Sequence, residues 1–306
     1  MNSIKVFSPA TVSNVCCGFD VLGFSIEGLG DEITIKKSNS KGVTIKKVNG
    51  YQVPLDSEKN TATVAAQALL KHLNIGQGFD LEINKNIKPG SGIGSSAASA
   101  VGAVYGINKI LGSPLKKEEL LKFAMQGEFV SSSTAPADNI ASALHGGLVL
   151  VNNREDYNVV KLPVPEDLFA LVHHPLIEIK TSESRVVLPK SIELSIASDQ
   201  LGAVGGFIHS LHTQDFDLMR ISLKDYLVEK YRADYVPVFN QIKSLAEINN
   251  TICCSISGSG PSIFTLVNTN EEAQRLKLLF DRVYKSNNLE FNSYITPLNS
   301  KGVHVV

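Results

Sequence analysis

The stretch from Ile83 to Gly106, INKNIKPGSGIGSSAASAVGAVYG, restricts the fold of this chain more than any other. It closes a strand-like alternation, passes through Gly90, Gly92 and Gly94, and enters a helix predicted over Ser95 to Leu111. The inner residues of that helix include Ala97, Ala98, Ala100 and Gly102, which are too small to fill a core and instead let the backbone approach its neighbours closely. A helix start carries unpaired N–H groups and the positive end of the helix dipole, so anions settle there. Glycines just ahead of it remove the Cβ atoms that would hold a phosphate away. Ser95 and Ser96 add hydroxyls at the first turn, suited to a phosphate oxygen or a metal ion. A tight turn before a closely packed helix explains much of the same pattern, so the loop alone leaves both readings open.

Two common phosphate loops do not fit it. A Walker A loop needs Gly-Lys-Ser/Thr, and no lysine stands in that place. A dinucleotide fingerprint needs a third glycine and a βαβ setting, whereas GSGIGS lacks the final glycine and is followed by further helix. The rest of the chain therefore has to supply the context.

The 306 residues allow one large domain or two moderate ones, and 43% apolar against 19% charged residues supports a sizeable core. A net charge of −1 gives no sign of a nucleic-acid groove or a membrane-surface patch. No apolar run reaches membrane-spanning length, and the opening MNSIKVFSPATVS lacks the regions of a secretory signal, so a cytoplasmic protein is expected. The cysteines form two adjacent pairs, Cys16–Cys17 and Cys253–Cys254, without metal or redox spacing. Buried free thiols in a reducing compartment are the expectation.

Strand patterns mix with helix patterns without regular βαβ alternation, which points to the α+β class. SIKVFSPA is predicted as a strand ending at Pro9. DVLGFSIEGLGDEITIKKS and GVTIKKV are predicted as a meander. Helices are predicted in TATVAAQALLKHL, with Asn60 or Thr61 as N-cap, in PLKKEELLKFAMQGE, and in ADNIASALHGG with Asp138 as N-cap. The second half shows the strand LFALVHH, helices near 191–212 and 236–249, the strands TICCSIS and SIFTLV, the helix NEEAQRLKLLFDRVYK and a last strand near Phe291. Residues 153–167 resemble a linker.

Two further loops have a chemical look. SPATVSNVCCGFDVLG, residues 8–23, places Asn14 and Asp20 around a Cys-Cys-Gly turn, and SISGSGPSIFTL, residues 255–266, is another Gly/Ser loop between strands. Together with PGSGIGSSAA, residues 89–98, they resemble the three motifs of the GHMP small-molecule kinases, named for galactokinase, homoserine kinase, mevalonate kinase and phosphomevalonate kinase. Ile93 replaces the usual leucine of the phosphate loop. The first motif is similar to the homoserine kinase form of the family, with Cys16–Cys17 standing for Gly-Pro. PADNIASALHGG, TSESRVVLP and YRADYVPVF extend the match along nearly the whole chain.

The resemblance implies a two-domain α+β GHMP kinase fold: a ribosomal-protein-S5-domain-2-like nucleotide domain over 1–160 and a ferredoxin-like domain over 161–306, with a homodimer possible. It implies ATP over Pro89, Gly90, Ser91, Gly92, Ile93, Gly94, Ser95, Ser96, Ala97, Ala98 and Ser99, with Asn60 near the adenine, where a plain N-cap competes evenly. Ser96 and Glu128 would hold Mg²⁺, although without the resemblance Glu128 reads as a solvated helix-end carboxylate. For L-homoserine it implies Arg185 and Arg232 on the carboxylate, Asp20 on the ammonium, Asn14 and Asn139 on the hydroxyl, and Thr181 close by. Relatives with a catalytic base carry a carboxylate near Asn139, and an amide cannot take a proton. Pro136 stands where homoserine kinases commonly have histidine.

Overall fold

A computed structural model of the chain describes residues 1–131, 136–153, 155–179 and 181–306, with the side chains of Ser131, Thr181 and Ser182 outside that description. The first half is built on the long antiparallel pair of β1 (Ser3–Ser13) and β2 (Leu22–Ser38). β1 does not stop at Pro9. Its register shifts between Pro9 and Thr11, a bulge that absorbs the missing N–H and carries the strand on to Ser13. β3 (Val43–Gly50) is not the next strand of a meander: it runs parallel to β4 (Gly78–Lys85), which lies between it and β2. The crossover from β3 to β4 contains α1 (Thr61–His72), as parallel pairing requires.

α2 (Ser95–Ile110) packs on β1 and β2, and both α1 and α3 (Leu121–Ser131) pack on α2. Its small residues now have a reason. A Cβ added at Gly102 would lie 2.6 Å from the Ile33 side chain, and one at Gly106 would lie 2.1 Å from that of Ile35, so only glycine lets the helix sit this close. α4 (Asp138–His145) follows, then β5 (Leu148–Val151), which pairs with the start of β2, and β6 (Val159–Lys161), which pairs with β5. The boundary expected between 160 and 161 thus falls inside β6.

In the second half, β7 (Phe169–Pro175) is followed by α5 (Thr181–Val186), α6 (Leu194–Thr213), α7 (Phe216–Ser222), α8 (Glu229–Arg232) and α9 (Phe239–Ile248). β8 (Cys253–Ile256), β9 (Ile263–Val267), α10 (Asn270–Ser286) and β10 (Phe291–Pro297) complete it. The four strands form an antiparallel sheet in the order β10-β7-β9-β8, confirming the α+β reading. α5, α7 and α8 had no counterpart in the sequence reading, because helices of one or two turns show too little periodicity. β11 (His304–Val305) returns to pair with Val6 and Phe7 of β1.

One apolar cluster joins the halves: Phe24 and Leu148 from the first meet Phe207, Met219 and Phe264 from the second. Phe24 and Phe264 touch edge to face at 5.9 Å. All four cysteines are free and buried, as expected, and among the described residues no helix is long and apolar enough to cross a membrane.

Candidate active site

The three Gly/Ser-rich loops converge and are bonded to one another. Ser257 donates its hydroxyl to Gly92 O and Ser262 donates to Ser91 O, each at 2.7 Å, and Thr11 N–H donates to Ile93 O at 3.1 Å. Gly92 and Gly94 have φ of +76° and +68°, and a Cβ would stand 2.5 Å from Gly260 O at the first and 2.0 Å from the Thr11 hydroxyl at the second. Glycine is required at both for left-handed backbone and for close approach. In the first loop Asn14, Cys16 and Asp20 also take positive φ. The Asn14 side chain holds that shape, accepting from Asp20 N–H and donating to Gly258 O, both at 3.0 Å.

The loops border a cleft of about 470 Å³. At one end lies the start of α2. Its cap residue is Gly94, which has no side chain to bond the first N–H groups, so they stay open to an anion. The Ser95 hydroxyl is committed to Ile87 O at 2.8 Å, whereas Ser96 faces Glu128 and donates to it at 3.1 Å. Burial pushes the Glu128 carboxyl up to about 7, partly opposed by the Ser96 bond. A cation placed between these oxygens would relieve that penalty, and a hard ion accepts such ligands.

At the other end lie two arginines and Asp20. Arg185 forks onto Asp20 at 2.8 and 3.4 Å, while its Nε is buried with no partner among the described residues. Arg232, at the end of α8, is buried and donates to Gly258 O at 2.7 Å and to Ser184 O at 3.4 Å. Burial and the nearby Arg185 lower its pKa to about 10, so it stays charged at neutral pH. Between the ends, on the first turn of α4, the Asn139 amide is fixed by Thr11, which donates to its Oδ1 at 2.7 Å, and by Ser13, which accepts from its Nδ2 at 3.1 Å.

Most of the predicted residues meet here. Asn14, Asp20, Asn139, Arg185 and Arg232 line the cleft with Ser96, Glu128 and Asn60, as do Pro89, Gly90, Ser91, Gly92, Gly94, Ser95 and Ser99. Ile93, Ala97 and Ala98 do not; they are fully buried beneath the loop. The side chain of Thr181 lies outside the described residues. Asn60 caps α1, accepting from Ala62 N–H at 2.9 Å and donating to Pro54 O at 2.8 Å, so its amide shapes the wall through the helix end.

Asp138 is not the N-cap of α4. Ala137 holds that place, and Asp138, one residue inside, buries its carboxyl completely. Its Oδ1 accepts from Asn139 N–H at 2.8 Å, and the Asn14 N–H also points at the carboxyl. Burial, reinforced by Asp20, pushes it up to about 7. Pro136 lines the cleft.

The sequence reading missed Lys85. Its ammonium is buried and donates to Asp31, to Ser95 O at 2.6 Å and to the Ser99 hydroxyl at 3.0 Å, tying the start of α2 to the sheet. Strand alternation carried the signal: Phe79, Leu81, Ile83 and Lys85 share the buried face of β4. Thr11 and Ser13 were missed as well, and no local pattern marks them as partners of Asn139.

Family models for the GHMP kinases N terminal domain and the GHMP kinases C terminal match residues 60–147 and 207–285. A homoserine kinase of Chlorobium phaeobacteroides is 38% identical, the match covering all of both chains. The chain belongs to the GHMP kinases, within the homoserine kinase family. A homoserine kinase of Xanthomonas campestris is 34% identical across all of this chain and 95% of its own. Among solved structures, this GHMP kinase superposes on the homoserine kinase of Cytophaga hutchinsonii with a TM-score of 0.96 and 44% identity, covering 100% of this chain and 98% of that one. An L. major mevalonate kinase solved with R-mevalonate shares the fold at TM-score 0.71 and 15% identity, covering 96% of this chain and 95% of that one.

Proposed function

We propose that this kinase transfers the γ-phosphate of ATP to the side-chain hydroxyl of L-homoserine, giving O-phospho-L-homoserine and ADP. The observation that carries the substrate is the Arg185–Asp20 ion pair with Arg232 beside it. A zwitterionic amino acid entering this pair takes Asp20 with its ammonium and the arginines with its carboxylate. Every buried charge keeps a partner. A hydroxy acid without an ammonium would occupy the arginines and leave Asp20 without its main counter-ion. A mevalonate-type kinase would also want a carboxylate where Asn139 stands.

The α2 N-terminus and the glycine loop receive the triphosphate, with the adenine toward the wall that Asn60 braces. Ser96 and Glu128 would hold Mg²⁺, whose charge would offset that of the phosphate oxygens. Asn14 and Asn139 orient the hydroxyl toward the γ-phosphate. Asp138, the carboxylate next to Asn139 in the chain, is fully buried and is not among the described residues that line the cleft. Phosphoryl transfer tolerates this, because its loose transition state gains most from positioning and charge stabilisation. The buried free thiols support a reducing compartment, the cytoplasm.

The test is ADP release from purified protein and Mg·ATP offered L-homoserine, L-threonine, mevalonate or galactose. Preferred turnover of homoserine is expected. Turnover of mevalonate without homoserine would overturn the substrate, and none with any acceptor would favour a silent nucleotide-binding relative.

A further inference from the structure

Phe19 lies within the first loop, between Gly18 and Asp20. Its ring lies under both arginines: the Arg185 guanidinium carbon is 5.7 Å from the ring centroid and that of Arg232 is 5.8 Å away. Few geometries bring two guanidinium groups to one aromatic ring. The arginines arrive from different elements, α5 and α8, and burial together with their mutual repulsion lowers the pKa of Arg232.

Each guanidinium is held elsewhere by hydrogen bonds, Arg185 to Asp20 and Arg232 to Gly258 O and Ser184 O. Those bonds tie each group to its own partner, the Arg185 fork to Asp20 and Arg232 to two backbone carbonyls, and none of them links the two guanidinium groups to each other. The Phe19 ring supplies that link, its π system attracting both cations. The left-handed turn at Asp20, φ 62°, puts the carboxylate and the ring on adjacent residues facing the same arginine.

We propose that Phe19 is a positioning residue for the amino-acid carboxylate, its π face holding Arg185 and Arg232 at a common spacing so that both guanidinium groups reach one carboxylate. This rests on the reading that those arginines bind that group. The ring need not touch the substrate. It sets the distance between the cations before substrate arrives, so the ordering is not done at the moment of binding.

The prediction separates a π-face role from simple packing. Phe19→Leu keeps the apolar bulk and removes the quadrupole; it should raise the KM for homoserine about tenfold, a loss of ~1.4 kcal/mol, with the KM for ATP unchanged. Phe19→Tyr should restore the KM to within about twofold. Replacing Phe19 by mono-, di- and trifluorophenylalanine weakens the ring face stepwise at nearly constant shape, so log KM for homoserine should rise in step with fluorine number. A flat fluorine series, or equal KM values for Phe19→Leu and the parent enzyme, would overturn the proposal. Arg232→Ala is measured alongside. If it leaves the homoserine KM unchanged, the arginine reading has failed; if it raises that KM while the fluorine series stays flat, only the role of Phe19 has.

Discussion

Replacing Lys85 by methionine should damage stability and nucleotide binding together. Lys85 and Asp31 are enclosed in the first half, with the ammonium side chain 2% exposed and the carboxylate not exposed at all. Removing one partner of a buried pair costs about 3–5 kcal/mol, because the remaining charge is left uncompensated. Here Asp31 would still accept from Asn86 N–H at 3.0 Å, Ile87 N–H at 3.2 Å and the Ser99 hydroxyl at 3.0 Å, which favours the lower end. A loss of ~3 kcal/mol corresponds to a fall in Tm of roughly 6–12 °C, read by scanning calorimetry. Ser95 O also loses its bond from Lys85 at the first turn of α2, so the KM for ATP should rise about tenfold while that for homoserine changes less than threefold. Lys85→Met combined with Asp31→Asn removes the stranded charge and should recover most of the lost Tm. If the single variant melts with the parent, or the double variant falls by the sum of both singles, the buried pair does not anchor the phosphate loop.

Three further outcomes follow from the site. Arg232→Ala should raise the KM for homoserine by about 10–100-fold, the value of one or two charge-assisted hydrogen bonds, with little change for ATP in steady-state assays; equal effects on both would make the arginine structural. Gly94→Ala forces a Cβ to within 2.0 Å of the Thr11 hydroxyl at φ +68°, so kcat should fall at least about tenfold as α2 shifts, measurable by ADP release. Asp138 should leave its mark on the pH dependence of stability. Burial holds it at about 7, well above its unfolded value, so the folded state binds the extra proton between about 4 and 7 and stability falls as pH rises through that window. Asp138→Asn should flatten that fall in denaturant titrations of the nucleotide-free enzyme, and an unchanged slope would place the titration elsewhere, Glu128 being the next group raised by burial.

How much of this was legible in the chain depends on whether the cause was local. The phosphate loop was legible because its conformation is dictated by neighbours in sequence: glycines, then serines, then a helix of small residues. Helix α10 was legible for the same reason, whereas β2 runs unbroken through glycines that suggested separate strands. β1 was misjudged at Pro9, since a bulge depends on the partner strand. The meander was misjudged because β4 inserts between β2 and β3 only after α1 has crossed over. Asp138 looked like a cap by residue type, yet the helix begins one residue earlier and its carboxyl faces Asn14, far away in the chain.

From sequence alone came the groups proposed to meet phosphate, hydroxyl and amino acid, because motif, residue type and spacing restrict which chemistry each loop can perform. Only the folded chain decided how those groups are loaded: Asp20 already paired to Arg185, Phe19 under two guanidinium groups, Asn139 clamped by Thr11 and Ser13, Lys85 sealed against Asp31. These are contacts between residues mostly tens to hundreds of positions apart. Their strength depends on burial and on fractions of an ångström, and neither exists until the β-sheets and helices have packed.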